Sequence, residues 1–156
     1  MVKEGNSYLV LREKPAELFR ELPGMIGRSP VLLVGRDNPK KALAALRPLK
    51  VKNLWVTNIE TKLPHVKPQE MEQLCYDIEK FMNENKGCAV ILTATNYLIT
   101  YTCFSDVLHM IQTLRDLASV NMTSVIVYVG CNTLDEKEEN LLKQDLEMIG
   151  EANEDN

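Results

Sequence analysis

Most of the groups that announce a chemistry are missing from this 156-residue sequence. It has no CxxC pair. Its four cysteines, Cys75, Cys88, Cys103 and Cys131, are widely spaced, and His65 and His109 stand far from any cysteine pair. Zinc sites gather their ligands in close pairs, so no metal is expected. Glycines number only seven and no GxGxxG occurs, so the dinucleotide fingerprint is excluded. Positive charge is not in excess: 18 Lys and Arg against 22 Asp and Glu give a formal charge of −4. Broad nucleic-acid binding needs a basic face and is not expected. The local group Lys40, Lys41, Arg47, Lys50 and Lys52 reads as a solvated helix face. No apolar run approaches about 18 residues, and nothing at the start resembles a signal peptide. The expectation is a cytoplasmic protein without membrane insertion.

What is present is a regular apolar pattern. Hydrophobic residues make up 45%, enough for one packed domain. That domain is expected over 7–150, with flexible tails at 1–6 and 151–156. Cys88 to Leu92 is a continuous apolar run, the mark of a strand covered on both faces. Tyr8-Leu-Val-Leu11, Pro30-Val-Leu-Leu-Val-Gly35, Leu54-Trp-Val56 and Thr123-Ser-Val-Ile-Val-Tyr-Val129 supply four more strands.

Helical patterns stand between them. Pro15 opens the first, and Pro23-Gly24 should end it. Asn38-Pro39 starts a short helix and Arg47-Pro48 stops it. Met71, Leu74, Cys75, Ile78, Phe81 and Met82 share one helical face. Phe104, Val107, Leu108, Ile111, Leu114 and Ala118 mark a helix from about Phe104 to Val120. Thr133-Leu-Asp-Glu136 reads as a capping box opening a last helix that runs to about Ile149. Thr57 to Lys67 is left as an irregular connection. Strands alternating with helices imply an α/β, three-layer αβα domain around a mostly parallel five-stranded sheet.

Candidate chemistry is sparse. Gly24-Met-Ile-Gly-Arg-Ser29 is the nearest approach to a phosphate loop, but Arg28 stands where the lysine belongs and a strand comes next. Cys103 and Cys131 are possible nucleophiles, with His65 or His109 as base. A Cys131–His65 pairing stays open beside the plainer reading that the two are unrelated. Strand ends carry Arg36-Asp37-Asn38, Thr57-Asn-Ile-Glu60 and Thr93-Ala-Thr-Asn96. Open α/β sheets bind ligands at such ends. Asp37 has a second reading, as an acid favouring the helix after it.

The order Val31-Leu-Leu-Val-Gly-Arg-Asp-Asn-Pro39, Leu54-Trp-Val-Thr57, Ala89-Val-Ile-Leu-Thr-Ala-Thr-Asn-Tyr-Leu-Ile99 and Phe104 to Leu117 resembles an archaeal domain-of-unknown-function family, the one numbered 835. The resemblance runs from about Tyr8 to Leu146. Members of that family occur alone or attached to sensory modules. More distantly, the same order is similar to the ATPase core of KaiC and RecA proteins. That resemblance implies a catalytic acid near Asp37 and a metal-holding acid at position 93, where this chain has Thr93. A neutral hydroxyl cannot stand in for a carboxylate beside magnesium-bound water. The resemblance thus implies a shared framework without the phosphate loop, its catalytic equipment lost.

Three functions are therefore expected. The first is a non-catalytic regulatory or interaction module in archaeal signalling, acting through a protein partner or a second copy. Its surface would be Tyr97, Ile99, Tyr101 and Phe104, which put apolar area into an expected connection. The same four residues have a plainer reading as core. The alternative is a protein that binds a nucleotide without hydrolysing it, with Arg36, Asp37, Thr93 and Thr95 lining the crevice. No cofactor and no metal is expected in either case. A thiol enzyme using Cys103 or Cys131 is a third expectation.

Overall fold

The computed structural model describes residues 2–150. Its strands are β1 (Ser7–Arg12), β2 (Val31–Gly35), β3 (Val51–Val56), β4 (His65–Val66), β5 (Ala89–Leu92), β6 (Ser124–Gly130) and β7 (Glu147–Met148). The helices are α1 (Pro15–Ile26), α2 (Pro39–Ala45), α3 (Met71–Glu84), α4 (Thr95–Tyr101), α5 (Phe104–Asn121) and α6 (Glu136–Asp145). The strands form one sheet in the order β4-β3-β2-β5-β6-β1-β7, parallel at every pairing.

Strand periodicity builds two cores from this one sheet. Leu32, Val34, Val90, Leu92, Val125 and Val127 face α3, α4, α5 and α6. Val31, Leu33, Ala89, Ile91, Ile126 and Tyr128 face α1 and α2. Successive side chains point to opposite faces, so a strand buried on both sides must be apolar throughout. All four residues of β5 and all seven of β6 are buried. The run from Cys88 to Leu92 supplies β5, fourth of the seven strands and thus central.

Several expectations are corrected. Among the described residues the sheet has seven strands, not five. The additions, β4 and β7, have two residues each, too few to leave a pattern. β4 forms inside the stretch read as irregular, where the amides of Trp55 and Thr57 donate to Pro64 O and Val66 O. Helix α6 ends at Asp145 because Leu146 is extended (φ −120, ψ 139); Glu147 and Met148 then pair with Tyr8 and Leu9. Helix α1 runs through Pro23-Gly24 to Ile26, since Leu22 and Ile26 both stay buried on the sheet. It stops at Gly27, whose φ of 62 suits a residue without a side chain. The capping box sits two residues later than expected. Asp135 accepts from Glu138 N at 2.7 Å, and Glu138 accepts from Asp135 N at 3.0 Å.

Residues 2–6, expected to be a tail, hydrogen-bond to the body: Val2 N to Met25 O, Gly5 N to Thr123 O. The expected tail at 151–156 and Met1 lie outside the described residues. Among those described, no helix is long and apolar enough to cross a membrane.

Candidate functional site

Strand order decides where a site can lie. β2 and β5 are neighbours, yet the chain leaves β2 through α2 on one face and β5 through α4 and α5 on the other. Connections that diverge in this way open a crevice at the carboxyl ends of the two strands. Gly35-Arg36-Asp37 and Thr93-Ala94-Thr95 stand at those ends. The structure thus brings Arg36, Asp37, Thr93 and Thr95 to one topological switch point.

Side chains close the floor of this crevice. A side-chain carbon on Gly35 would lie 2.6 Å from Thr93 Oγ1, so the two strand ends meet without a gap. The amide of Thr93 donates to Val34 O at 2.9 Å, and its hydroxyl lies 3.5 Å from the same oxygen. Ala94 and Thr95 are fully buried, and the Thr95 hydroxyl finds no partner among the described residues. Asp37 is half-buried, while its neighbour Asn38 caps α2 by accepting from Lys40 N at 3.0 Å.

Above the floor lies a stack of groups. Arg36 is exposed, yet its guanidinium is held on two sides. Nη1 donates to Val56 O at 2.7 Å, and Cζ lies 3.6 Å from the centroid of the Tyr97 ring. A cation over an aromatic face is attracted by the ring's quadrupole. Tyr97 in turn lies 4.8 Å from Tyr101 at a tilt of 59°. Trp55, which sequence reasoning did not single out, donates its indole N–H to Arg36 O at 3.0 Å. Register places it there, since Trp55 is the partner of Gly35 across β2 and β3.

The four residues of the expected apolar patch separate. Tyr101 is 45% exposed, whereas Tyr97, Ile99 and Phe104 are half-buried against the core. Residues 97–101 belong to α4, not to an irregular connection. Leu98 on the same helix is fully buried and fastens it to the sheet.

The other candidates do not assemble. β3, β2 and β5 stand between the strand of His65 and the strand that Cys131 follows, a gap of about 19 Å. Cys103 is exposed and precedes α5. Cys75 is half-buried, and burial, followed by the charge of Glu79, pushes its thiol up, away from the reactive thiolate. Gly24 to Ser29 spans the end of α1 and the approach to β2, with no helix N-terminus behind it. Among the described residues no three metal-ligating side chains come together.

No curated protein matches this chain. Among solved structures it is similar to a protein of Pyrococcus horikoshii OT3 described as a structural study of PH0250. The TM-score is 0.62 at 12% identity, over 92% of this chain and 80% of that one. At this identity the likeness concerns the fold alone. The family described as protein of unknown function (DUF835) matches residues 7–146, and the chain belongs to that family.

Proposed function

We propose that this chain is a non-catalytic interaction module whose partner surface is built on Arg36, Tyr97 and Tyr101. The observation that carries the reading is the fixed guanidinium. Arg36 is exposed, but its position is set by Val56 O and the Tyr97 ring, with the exposed ring of Tyr101 beside it. Arginine and tyrosine dominate binding energy at protein interfaces, most of all where their order is already imposed before binding. The scaffold is read as a KaiC- or RecA-like core stripped of its equipment. Supporting this are the hydroxyl of Thr93 where a metal-holding acid would stand and the want of a phosphate loop. Archaeal signalling is the proposed setting, supported by the family resemblance and by the archaeal source of the similar structure.

Sedimentation across a wide concentration range, together with proximity labelling in the host cell, tests the reading. The wild type should self-associate or label a defined set of proteins, and Tyr101→Asp and Arg36→Glu should abolish either result. A wild type that stays monomeric and labels the same proteins as both variants would sink it.

A second reading is a nucleotide held without hydrolysis. It is favoured by one observation, an exposed arginine at the topological switch point. Calorimetry with ATP, GTP and cyclic nucleotides decides it. Binding heat that disappears in Arg36→Ala supports this reading, and no heat at millimolar ligand removes it.

A further inference from the structure

Helices α3 and α5 pack side by side on one face of the sheet through Leu74, Ile78, Ile111 and Leu114, all fully buried. Toward the N-terminal end of α3 they leave a groove of about 440 Å³. Its floor is soft and apolar: Met71, Cys75 and Met110. Met71 and Cys75 are only half-buried, so the floor is an apolar surface that nothing in the fold covers completely. Its walls include Glu72, Asp106 and His109. Among the described residues no lysine or arginine lines it.

The charge of the rim is of one sign: Glu72 opens α3 and Asp106 opens α5, both are exposed, and no cation among the lining residues faces them. Length also matters. Along α5 the lining runs from Asp106 to Thr113, about 10 Å at the helical rise, which matches some two turns of a second helix.

We propose that this groove docks a basic amphipathic helix of a protein partner. Methionine side chains conform to varied apolar surfaces. A helix seated in such a groove is held by apolar anchors at i, i+3, i+4 and i+7. Acidic walls select lysine and arginine on the flanks of the incoming helix and repel acidic ones. The inference goes beyond the Arg36–Tyr97–Tyr101 surface, because none of those three residues lines the groove.

The test uses the full chain and a synthetic leucine–lysine peptide of about five turns, with leucines at helical 3, 4, 7 spacing and a terminal dye. One control has the same composition scrambled, and the other replaces lysine by glutamate. Fluorescence anisotropy at about 0.15 M salt should show the patterned peptide binding at least roughly tenfold tighter than either control. Joint replacement Glu72→Lys and Asp106→Lys, both at exposed positions, should weaken it by at least about tenfold. On the wild type, methyl-labelled methionine spectra should show Met71 and Met110 shifting on binding, while Met25 on α1 stays in place. Equal binding of the scrambled peptide overturns the proposal, and so does binding that leaves the Met71 and Met110 signals unmoved.

Discussion

Gly35 and Thr93 compete for one volume at the carboxyl ends of β2 and β5, with Thr93 Oγ1 only 2.6 Å from where a side-chain carbon on residue 35 would stand. Glycine is required there by close approach, not by an unusual backbone angle. Gly35→Ala should therefore destabilise the fold by about 1–3 kcal/mol, because the β-branched Thr93 must turn away and repack. Thr93→Ala alone should cost less. The double variant should recover much of the loss, which urea denaturation of all four proteins would show as a coupling energy. Additive losses would mean that the two residues do not share one space.

Thr95 has a hydroxyl that is buried and without a partner among the described residues. Desolvating a hydroxyl without a compensating bond is unfavourable. Thr95→Val keeps the shape and removes the hydroxyl, so it should stabilise the chain by about 1 kcal/mol, read as a raised midpoint in urea. A loss of stability would show that the hydroxyl has a bonding partner in solution.

How far the sequence carries depends on how local the cause is. β2, β5 and β6 are legible because burial on both faces demands unbroken apolar runs such as Val31 to Val34. The asparagine cap at Asn38 is legible because its partner, Lys40, is two residues away. β4 and β7 are not legible, since each exists only through hydrogen bonds to an edge built elsewhere. Trp55 N to Pro64 O and Ile149 N to Leu9 O are examples. At the site, strand patterning places Arg36 and Tyr97 near strand ends, but only the tertiary fold sets one over the other.

The capping box separates two residues that look alike in sequence. Asp135 caps α6, whereas the Thr133 hydroxyl donates to Gly130 O at 2.6 Å. Asp135→Ala should cost about 1 kcal/mol and loosen the first turn of α6. Amide exchange would register this at Glu138, whose N–H loses its acceptor. Thr133→Ala should leave the exchange rate at Glu138 unchanged. Faster exchange at Glu138 in that variant would place the cap at Thr133 after all.

Stability should fall in strong alkali, and two buried acids set the window. Burial first, then the charges of Cys131 and Glu17, push the Tyr128 phenol up to about 12. Its hydroxyl is buried and donates to Arg12 O at 3.1 Å, a bond that ionisation would remove. Burial likewise pushes the Cys88 thiol up to about 11. In the unfolded chain the two groups lose their protons near about 10 and about 8.5. Each therefore holds its proton in the folded state at a pH where the unfolded chain has released it. Their contribution is intact below the unfolded values and is lost as pH rises toward the folded ones. Urea denaturation from pH 8 to about pH 12 should show a decline that steepens above about pH 10. Tyr128→Phe should cost about 1 kcal/mol at pH 8 through the lost bond to Arg12 O, yet decline less steeply above about pH 10. An unchanged slope in that variant would mean that Tyr128 ionises in the folded protein as readily as in the unfolded chain.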